Sequence, residues 1–278
     1  MVDFEYARPQ SLAQAVALLA AQPQAIAMAG GQTLLPTLKQ RLTRPSCLVD
    51  LQDIAELRGI EVGSQQVSVG AMVRHAQTAT HAALACAIPA LAHLAGGIAH
   101  PQVRHVGTMG GSISNNDPAA DYPAALVALG AQVQTTRRRI AADDFFTGLF
   151  STALEPGELV VRVHFPVPLR AGYCKIANPA SGYVTAGCFI ADFGGARVRV
   201  AVNGAGPCVF RQSELERRLS DDFSRDALSG FSQAADGLNT DLHASAAYRA
   251  TLVGVAARRA LAMALGSTDT PILENTPR

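Results

Sequence analysis

The sequence predicts an α+β fold in three parts. Over the first part, a helical pattern and short apolar runs of strand length alternate. The second part mixes strands with Ala-rich helices and ends at Pro166 and Pro168, which interrupt the chain. After these prolines, two strands joined by a glycine turn precede helical patterning. We therefore place the parts at residues 1–57, 58–167 and 168–278, the last being a small antiparallel sheet with helices.

The first part reads as a small βα unit. Ser11 and Gln14 have capping-box spacing, and Leu12, Val16 and Leu19 then share one helical face before Pro23. Further along this part, the patterns predict two strands and one short helix: strand Ala25–Ala29, helix Leu34–Arg41 and strand Cys47–Leu51.

Two glycine-pair segments are the strongest functional signal. Motif 1 is Ala29-Gly30-Gly31-Gln32-Thr33, and motif 2 is Thr108-Met109-Gly110-Gly111-Ser112. Neither fits the G-x-G-x-x-G fingerprint or the phosphate loop. Glycine permits positive φ, so successive N–H groups can turn inward and bind an anion. One Gly-Gly step is usually a tight turn, but two such loops with hydroxyl side chains favour a site for both phosphates of a pyrophosphate.

The second part contains helices and strands in succession. Asp117-Pro118 has the residue types of a helix N-cap and first position, with the helix running through Leu129. The other predicted elements are strand Val67–Ala71, a helix over Ala76–Leu94 broken at Pro89, strand Ala131–Thr135, a turn or helix at Asp143–Phe146, and strand Leu159–Phe165.

The third part combines a hairpin with a long helix. Strands Val184–Asp192 and Val198–Asn203 are expected to turn at Gly194-Gly195. Ser245 can cap a long helix whose core-facing stripe would contain Tyr248, Leu252, Ala256, Ala260 and Met263.

Composition excludes several classes of function. The 278 residues are 49% hydrophobic and 16% charged with net charge +1, so a large core is available and neither nucleic acid nor an anionic membrane is favoured as a partner. We interpret Arg137–Arg139 and Arg217-Arg218 as solvated faces. No apolar run is long enough to span a membrane, and the start lacks a signal-peptide pattern. Five scattered cysteines without C-x-x-C suit reduced thiols in a cytoplasm.

No side chain stands out as a catalytic or metal-binding group. The histidines lack metal-ligand spacing, and no G-x-S-x-G occurs. Asp143-Asp144 and Asp221-Asp222 are adjacent pairs, which suit helix caps better than an acid/base couple. The chemistry is therefore expected to belong to a cofactor.

Four ordered segments resemble a known family. The chain resembles the FAD-binding medium subunit of molybdenum hydroxylases, the xanthine dehydrogenase family, and in particular the carbon monoxide dehydrogenase type. The resemblance covers essentially the whole chain and implies a two-part, PCMH-like FAD-binding domain followed by a C-terminal flavoprotein domain. The segments are AGGQTLLPTLKQR (29–41), VRHVGTMGGSISNNDPAADYPAAL (103–126), KIANPASGYVTAG (175–187) and LNTDLHASAAYRATLVGVAARRAL (238–261).

The resemblance also implies roles for individual residues. Motifs 1 and 2 match the loops that hold the FAD pyrophosphate. Asp121 would lie near the ribose and adenosine, although a first-turn helix acid is the alternative. Lys175 and Tyr183 would lie near the isoalloxazine, although an exposed strand lysine and a packed core tyrosine remain open. Gln32 stands where covalent flavoproteins carry histidine, so we expect non-covalent FAD.

The implied function is electron transfer within a larger enzyme. A small subunit with two [2Fe–2S] clusters and a large molybdopterin subunit would be the partners, in a cytoplasmic dimer of heterotrimers, and an external acceptor would take the electrons. Two alternatives remain: a self-contained FAD-dependent oxidase or dehydrogenase, and a scaffold that has lost its cofactor. The missing substrate base counts against the first, and flavin absorbance would exclude the second.

Overall fold

The computed structural model describes residues 3–266 and has the predicted α+β architecture. Its first part is a three-stranded parallel sheet in the order β1-β3-β2 with two helices. The Ser11 hydroxyl accepts a hydrogen bond from the Gln14 N–H at 3.3 Å and caps the first helix, as its sequence predicts. The elements are β1 (Glu5–Ala7), α1 (Leu12–Ala21), β2 (Ile26–Met28), α2 (Leu34–Lys39) and β3 (Cys47–Asp50).

The second part is built on an antiparallel sheet in the order β4-β5-β10-β6-β7. A two-stranded hairpin, β8-β9, extends from it. The elements are β4 (Ile60–Val62), β5 (Gln66–Gly70), α3 (His75–Thr80), α4 (Ala82–Ala87), α5 (Pro89–Gly96), α6 (Pro101–Arg104), α7 (Met109–Asn115), α8 (Tyr122–Leu129), β6 (Gln132–Thr135), β7 (Arg139–Ala141), α9 (Ala142–Phe145), β8 (Phe146–Gly148), β9 (Ser151–Thr152) and β10 (Val160–Pro166).

The third part is the expected small antiparallel sheet with helices. Its strand order is β11-β12-β13-β14, and α11 packs on β11 and β12. The sequence patterns missed β11 and β14, because neither strand alternates clearly between apolar and polar residues. The elements are β11 (Arg170–Ala177), β12 (Val184–Asp192), β13 (Val198–Asn203), β14 (Phe210–Arg211), α10 (Ser213–Asp221) and α11 (Ala246–Ala264).

The helix predicted over 76–94 is three helices, so the prediction of a single break at Pro89 was wrong. The chain leaves helical geometry already at His81, which has φ −73° and ψ 107°. The His81 Nδ1 accepts a hydrogen bond from the Leu84 N–H at 3.2 Å and so starts α4 anew. A side-chain cap by histidine cannot be predicted from the Ala-rich sequence around it, because that sequence favours a continuous helix.

The predicted helix start at Asp117-Pro118 was also wrong, since α8 begins at Tyr122. The Asp117 carboxylate accepts from the Ala119 N–H at 2.9 Å, which closes a turn instead of a helix. The Pro118 carbonyl accepts from the Gly204 N–H at 2.9 Å. Contacts with the third part therefore hold residues 117–120 out of helical geometry.

The three parts share their core. Every residue of α8 is buried, because this helix contacts β10 of the second part and β12 and β13 of the third. All nine residues of β12 are buried as well: Phe189 and Ala191 join the core around the first two parts, while Cys188 and Ile190 face α11. In the α11 stripe, Leu252, Ala256 and Ala260 are buried as expected, but Tyr248 is exposed.

Candidate functional site

A cavity of about 850 Å³ lies where the three parts meet. Its size is within the range of small-molecule and cofactor sites. Residues of both glycine motifs line it, together with segments from every part of the chain. These segments are 29–34, 98–100, 110–112, 119–121, 157–160 and 181–183.

Motif 1 has free hydrogen-bond donors. Gly31 has φ +65°, the left-handed conformation that glycine was expected to supply here. Among residues 3–266, nothing accepts a hydrogen bond from the N–H groups of Gly31, Gln32 or Thr33, whereas the Gly31 carbonyl accepts from the Leu35 N–H at 2.9 Å. Three successive unpaired donors at a cavity wall form an anion-binding nest.

Gly30 brings the two motifs together. A Cβ at this position would clash with the carbonyl group of Val106 and would lie 2.9 Å from the Cα of Gly107. The motif 1 backbone thus packs directly on the segment that leads into motif 2, and only glycine permits this approach.

Motif 2 is not the loop that we predicted. It forms the first turn of α7, Gly110 and Gly111 have no positive φ, and the N–H groups are used internally. The Met109 N–H donates to the Val73 carbonyl at 3.0 Å and the Gly110 N–H to the Ala71 carbonyl at 2.8 Å. A Cβ on Gly110 would lie 2.6 Å from the Ala71 Cβ, so this glycine is required by packing.

Motif 2 instead offers hydroxyl groups. The Thr108 Oγ1 caps α7 by accepting from the Gly111 N–H at 3.2 Å, which leaves its own hydrogen free to donate. The hydroxyls of Thr33 and Ser112 have no partner within residues 3–266. All three residues line the cavity, so they can add donors to the nest of motif 1. Met109, in contrast, is fully buried in the core, and its predicted contact with a cofactor finds no support.

Asp121 and Lys175 were predicted near opposite ends of FAD, but they form an ion pair. The Lys175 Nζ lies 3.0 Å from the Asp121 Oδ1, and the Tyr173 Oη donates to the same oxygen at 2.9 Å. Asp121 is the N-cap residue of α8 but makes no side-chain cap hydrogen bond, because its carboxylate is bound by Lys175 and Tyr173 instead. Burial raises the pKa of the Asp121 carboxyl, and the charge of Lys175 opposes that shift.

Tyr183 lies at the cavity rim. It is 53% exposed, so it is not a packed core residue. Partial burial raises the pKa of its phenol, and the nearby Asp117 carboxylate adds to the shift. An exposed aromatic ring at the edge of a cavity is suited to cover a planar ligand group.

His75 is a site residue that the sequence patterns missed. It lines the cavity, is buried, and lies against the ring of Tyr122 with 5.3 Å between centroids. Burial, with the charge of Arg104, lowers the pKa of its imidazole to about 4, so the ring is neutral near neutral pH. Its only signal in the sequence is its place soon after β5, a strand whose end faces the cavity.

The site offers anion donors and aromatic cover but few other chemical groups. Within the described residues, no group of three or more His, Cys, Asp or Glu side chains is placed to hold a metal ion. No helix between residues 3 and 266 is long and apolar enough to cross a membrane. The nest, the hydroxyls and the cavity volume together fit a ligand with a pyrophosphate and an extended planar part, such as a flavin dinucleotide.

Comparisons with known proteins agree with this geometry. Residues 2–168 match the family model described as the FAD binding domain in molybdopterin dehydrogenase. The chain is 34% identical to the 6-hydroxypseudooxynicotine dehydrogenase complex subunit alpha of Paenarthrobacter nicotinovorans, over 95% of each chain. It is also 34% identical to the carbon monoxide dehydrogenase medium chain of Afipia carboxidovorans, over 93% of this chain and 96% of that one. A structure of carbon monoxide dehydrogenase from Hydrogenophaga pseudoflava superposes with a TM-score of 0.87 at 34% identity, covering 96% of this chain and 99% of the other.

Proposed function

The chain belongs to the FAD-binding medium-subunit family of molybdenum hydroxylases, and from this premise we propose that it is the electron-transfer flavoprotein of such a complex. It binds FAD without a covalent bond. It takes electrons from the [2Fe–2S] clusters of a small partner subunit and passes them to an external acceptor.

The nest of motif 1 is the observation that carries this proposal. The N–H groups of Gly31, Gln32 and Thr33 hold one phosphate, and the hydroxyls of Thr108 and Ser112 hold the other. Hydrogen bonds from several preorganised donors to a charged group are stronger than neutral ones. Motif 2 thus contributes side-chain hydroxyls, not the second nest that its sequence suggested.

The remaining site residues bind and orient the cofactor and do not activate a substrate. A bound flavin accepts electrons one at a time and releases them singly or in pairs, so the chain itself needs no acid/base couple. Gly30 and Ala29 fix the wall on which the dinucleotide lies, and the neutral His75 adds no charge behind it.

The proposed assembly is the one that the family resemblance implies. The partners are a small iron–sulfur subunit and a large molybdopterin subunit, arranged as a dimer of heterotrimers in the cytoplasm. The FAD site lies between parts 1–57 and 58–167, and part 168–278 closes it. The organic substrate would then react in the large subunit.

Two measurements test the proposal. Acid precipitation of the purified chain should release about one flavin per chain into the supernatant, all of it as FAD. Co-expression with the iron–sulfur and molybdopterin subunits should give a hetero-oligomer whose flavin absorbance is bleached by the substrate of the complex. Flavin left on the precipitated chain would refute non-covalent binding. Turnover of an organic substrate by the isolated, metal-free chain would favour a self-contained oxidase.

A further inference from the structure

Lys175 lies behind the cavity wall and does not line the cavity. Its side chain, on β11, is 14% exposed, and the Nζ contacts both Asp121 and the backbone carbonyl of Gly182, the latter at 3.2 Å. Asp121 and Gly182 do line the cavity. One ammonium group therefore joins two separate segments of the wall.

The Gly182 carbonyl belongs to the loop that carries Tyr183. This loop, residues 178–183, connects β11 to β12 and is closed by hydrogen bonds from the Asn178 N–H to the Tyr183 carbonyl and from the Gly182 N–H to the Asn178 carbonyl, both at 2.8 Å. Pro179 and Ala180 at its tip are exposed. The loop is internally compact, so a contact at Gly182 fixes the position of Tyr183 as well.

The anchor of this contact is held by the third part of the chain. Tyr173 lies two residues before Lys175 on the same face of β11 and donates to the Asp121 carboxylate. The Asn203 amide on β13 donates to the Tyr173 Oη at 3.4 Å and to the Ala120 carbonyl at 2.7 Å. Asp121 thus has its carboxylate fixed by β11 and its neighbouring backbone fixed by β13, two strands of the same sheet.

We propose that Lys175 is a positioning residue, whose ammonium holds the Tyr183 loop against Asp121 and so keeps the aromatic ring over the cofactor cavity. The inference rests on the proposed function, because the ring then covers part of the bound FAD. It differs from the role that the family resemblance implies, in which Lys175 itself lies near the isoalloxazine. Methionine at this position would fill similar space but give the Gly182 carbonyl no donor.

Coupling between Lys175 and Tyr183 tests this role. Flavin-stripped protein is titrated with FAD to measure the affinity of Lys175→Met, Tyr183→Ala and the combined variant. Lys39→Met is the control, since Lys39 and Lys175 are the only lysines of the chain. Loss of one aromatic contact should weaken binding about tenfold in each single variant. The combined variant should be weaker than the worse single variant by less than about threefold, because both changes remove the same contact. Effects that multiply, or wild-type affinity in Lys175→Met, would overturn the proposal.

A second pair of variants applies if Lys175→Met leaves Asp121 buried without its partner and does not fold. Asp121→Asn/Lys175→Met, which removes both buried charges together with the donor to Gly182, is then compared with the same variant carrying Tyr183→Ala. The double variant should bind FAD about tenfold more weakly than the wild type, for the reason given above. Adding Tyr183→Ala should weaken binding by less than about threefold further. Wild-type affinity in the double variant, or a further tenfold loss on adding Tyr183→Ala, would contradict the positioning role.

A measurement without FAD separates this inference from the proposed function. Acetic anhydride should acetylate Lys175 of the whole flavin-stripped chain at least about ten times more slowly than Lys39, and Asp121→Asn should remove most of that protection. If the protection is found but the chain binds no FAD, the proposed function fails and the ion-pair anchor stands. If the chain binds FAD but Lys175 reacts as fast as Lys39, the inference fails alone.

Discussion

His75 should make the protein sensitive to mild acid. Its imidazole is buried against Tyr122, and its Nδ1 has no hydrogen-bond partner among the described residues. Burial is the main reason that its pKa falls from 6.5 to about 4, and repulsion by Arg104 adds to it. The perturbation that tests this is His75→Phe, which keeps a ring on Tyr122 but cannot take up a proton.

The size of the effect follows from linkage. A folded-state pKa below the unfolded-state value means that the unfolded chain binds the proton more readily. The stabilisation is therefore present above pH 6.5 and is lost as the pH falls towards 4. The shift of about 2.5 units, 6.5 minus 4, at about 1.4 kcal/mol per unit, gives about 3 kcal/mol in total. Most of it is lost by about pH 4.5.

The assay is urea unfolding of flavin-stripped wild type and His75→Phe between about pH 7.5 and pH 4.5. Flavin is removed because a bound pyrophosphate would stabilise the protonated ring. The wild type should lose about 2 to 3 kcal/mol more than the variant over this range. His100→Gln, a change at an exposed histidine, is the control and should follow the wild type.

Parallel curves for wild type and His75→Phe would refute the reasoning, because the acid sensitivity would then belong to other groups. A variant more acid-sensitive than the wild type would mean that His75 is charged and paired in the folded protein.

Two further contrasts separate binding from folding. Gly31→Ala should lower the free energy of unfolding by about 1 kcal/mol, because residue 31 has a positive φ, and it should also weaken FAD binding. Gly110→Ala should lower the melting temperature by several degrees, because the new Cβ would clash with Ala71. Equal melting temperatures for the two variants would contradict the distinction between the motifs. Asn116→Ala should destabilise the protein by about 2 kcal/mol in urea unfolding, since the Asn116 amide donates to the carbonyls of Gly148 and Ser151 at 2.8 and 2.7 Å. The same variant should increase proteolysis of the β8-β9 hairpin, and unchanged cleavage would show that the amide does not hold the hairpin.

Local sequence signals were enough for motif 1 but not for motif 2. Motif 1 contains a glycine in positive φ and lies directly between strand β2 and helix α2, and each of these three features has its own signature in the sequence. Motif 2 also has a glycine pair and hydroxyl side chains, yet its N–H groups bond to Ala71 and Val73, more than thirty residues earlier in the sequence. Hydrogen-bond acceptors so distant in sequence depend on how β5 and α7 are arranged in space, so they cannot be predicted from the residues of the motif.

Strong local signals were also overridden by tertiary contacts. Asp117-Pro118 is a good helix start, but the turn at Ala119 and the bond from Gly204 place the start four residues later. Asp121 and Lys175 were each singled out from the sequence, while their pairing across 54 residues was not, because it depends on how β11 crosses the end of α8. In both cases the missing information lies in the third part of the chain.

Both β12 and α8 are buried on two sides, which affects how the protein unfolds and how its parts can recombine in evolution. The side of α8 that β12 and β13 cover is apolar, so a fragment ending at residue 167 would expose it to water and should aggregate. The FAD-binding part and the third part should accordingly unfold in one cooperative transition, visible as a single calorimetric peak. Recombination between relatives would then have to exchange both parts together, since a break between them would cut through a shared interior.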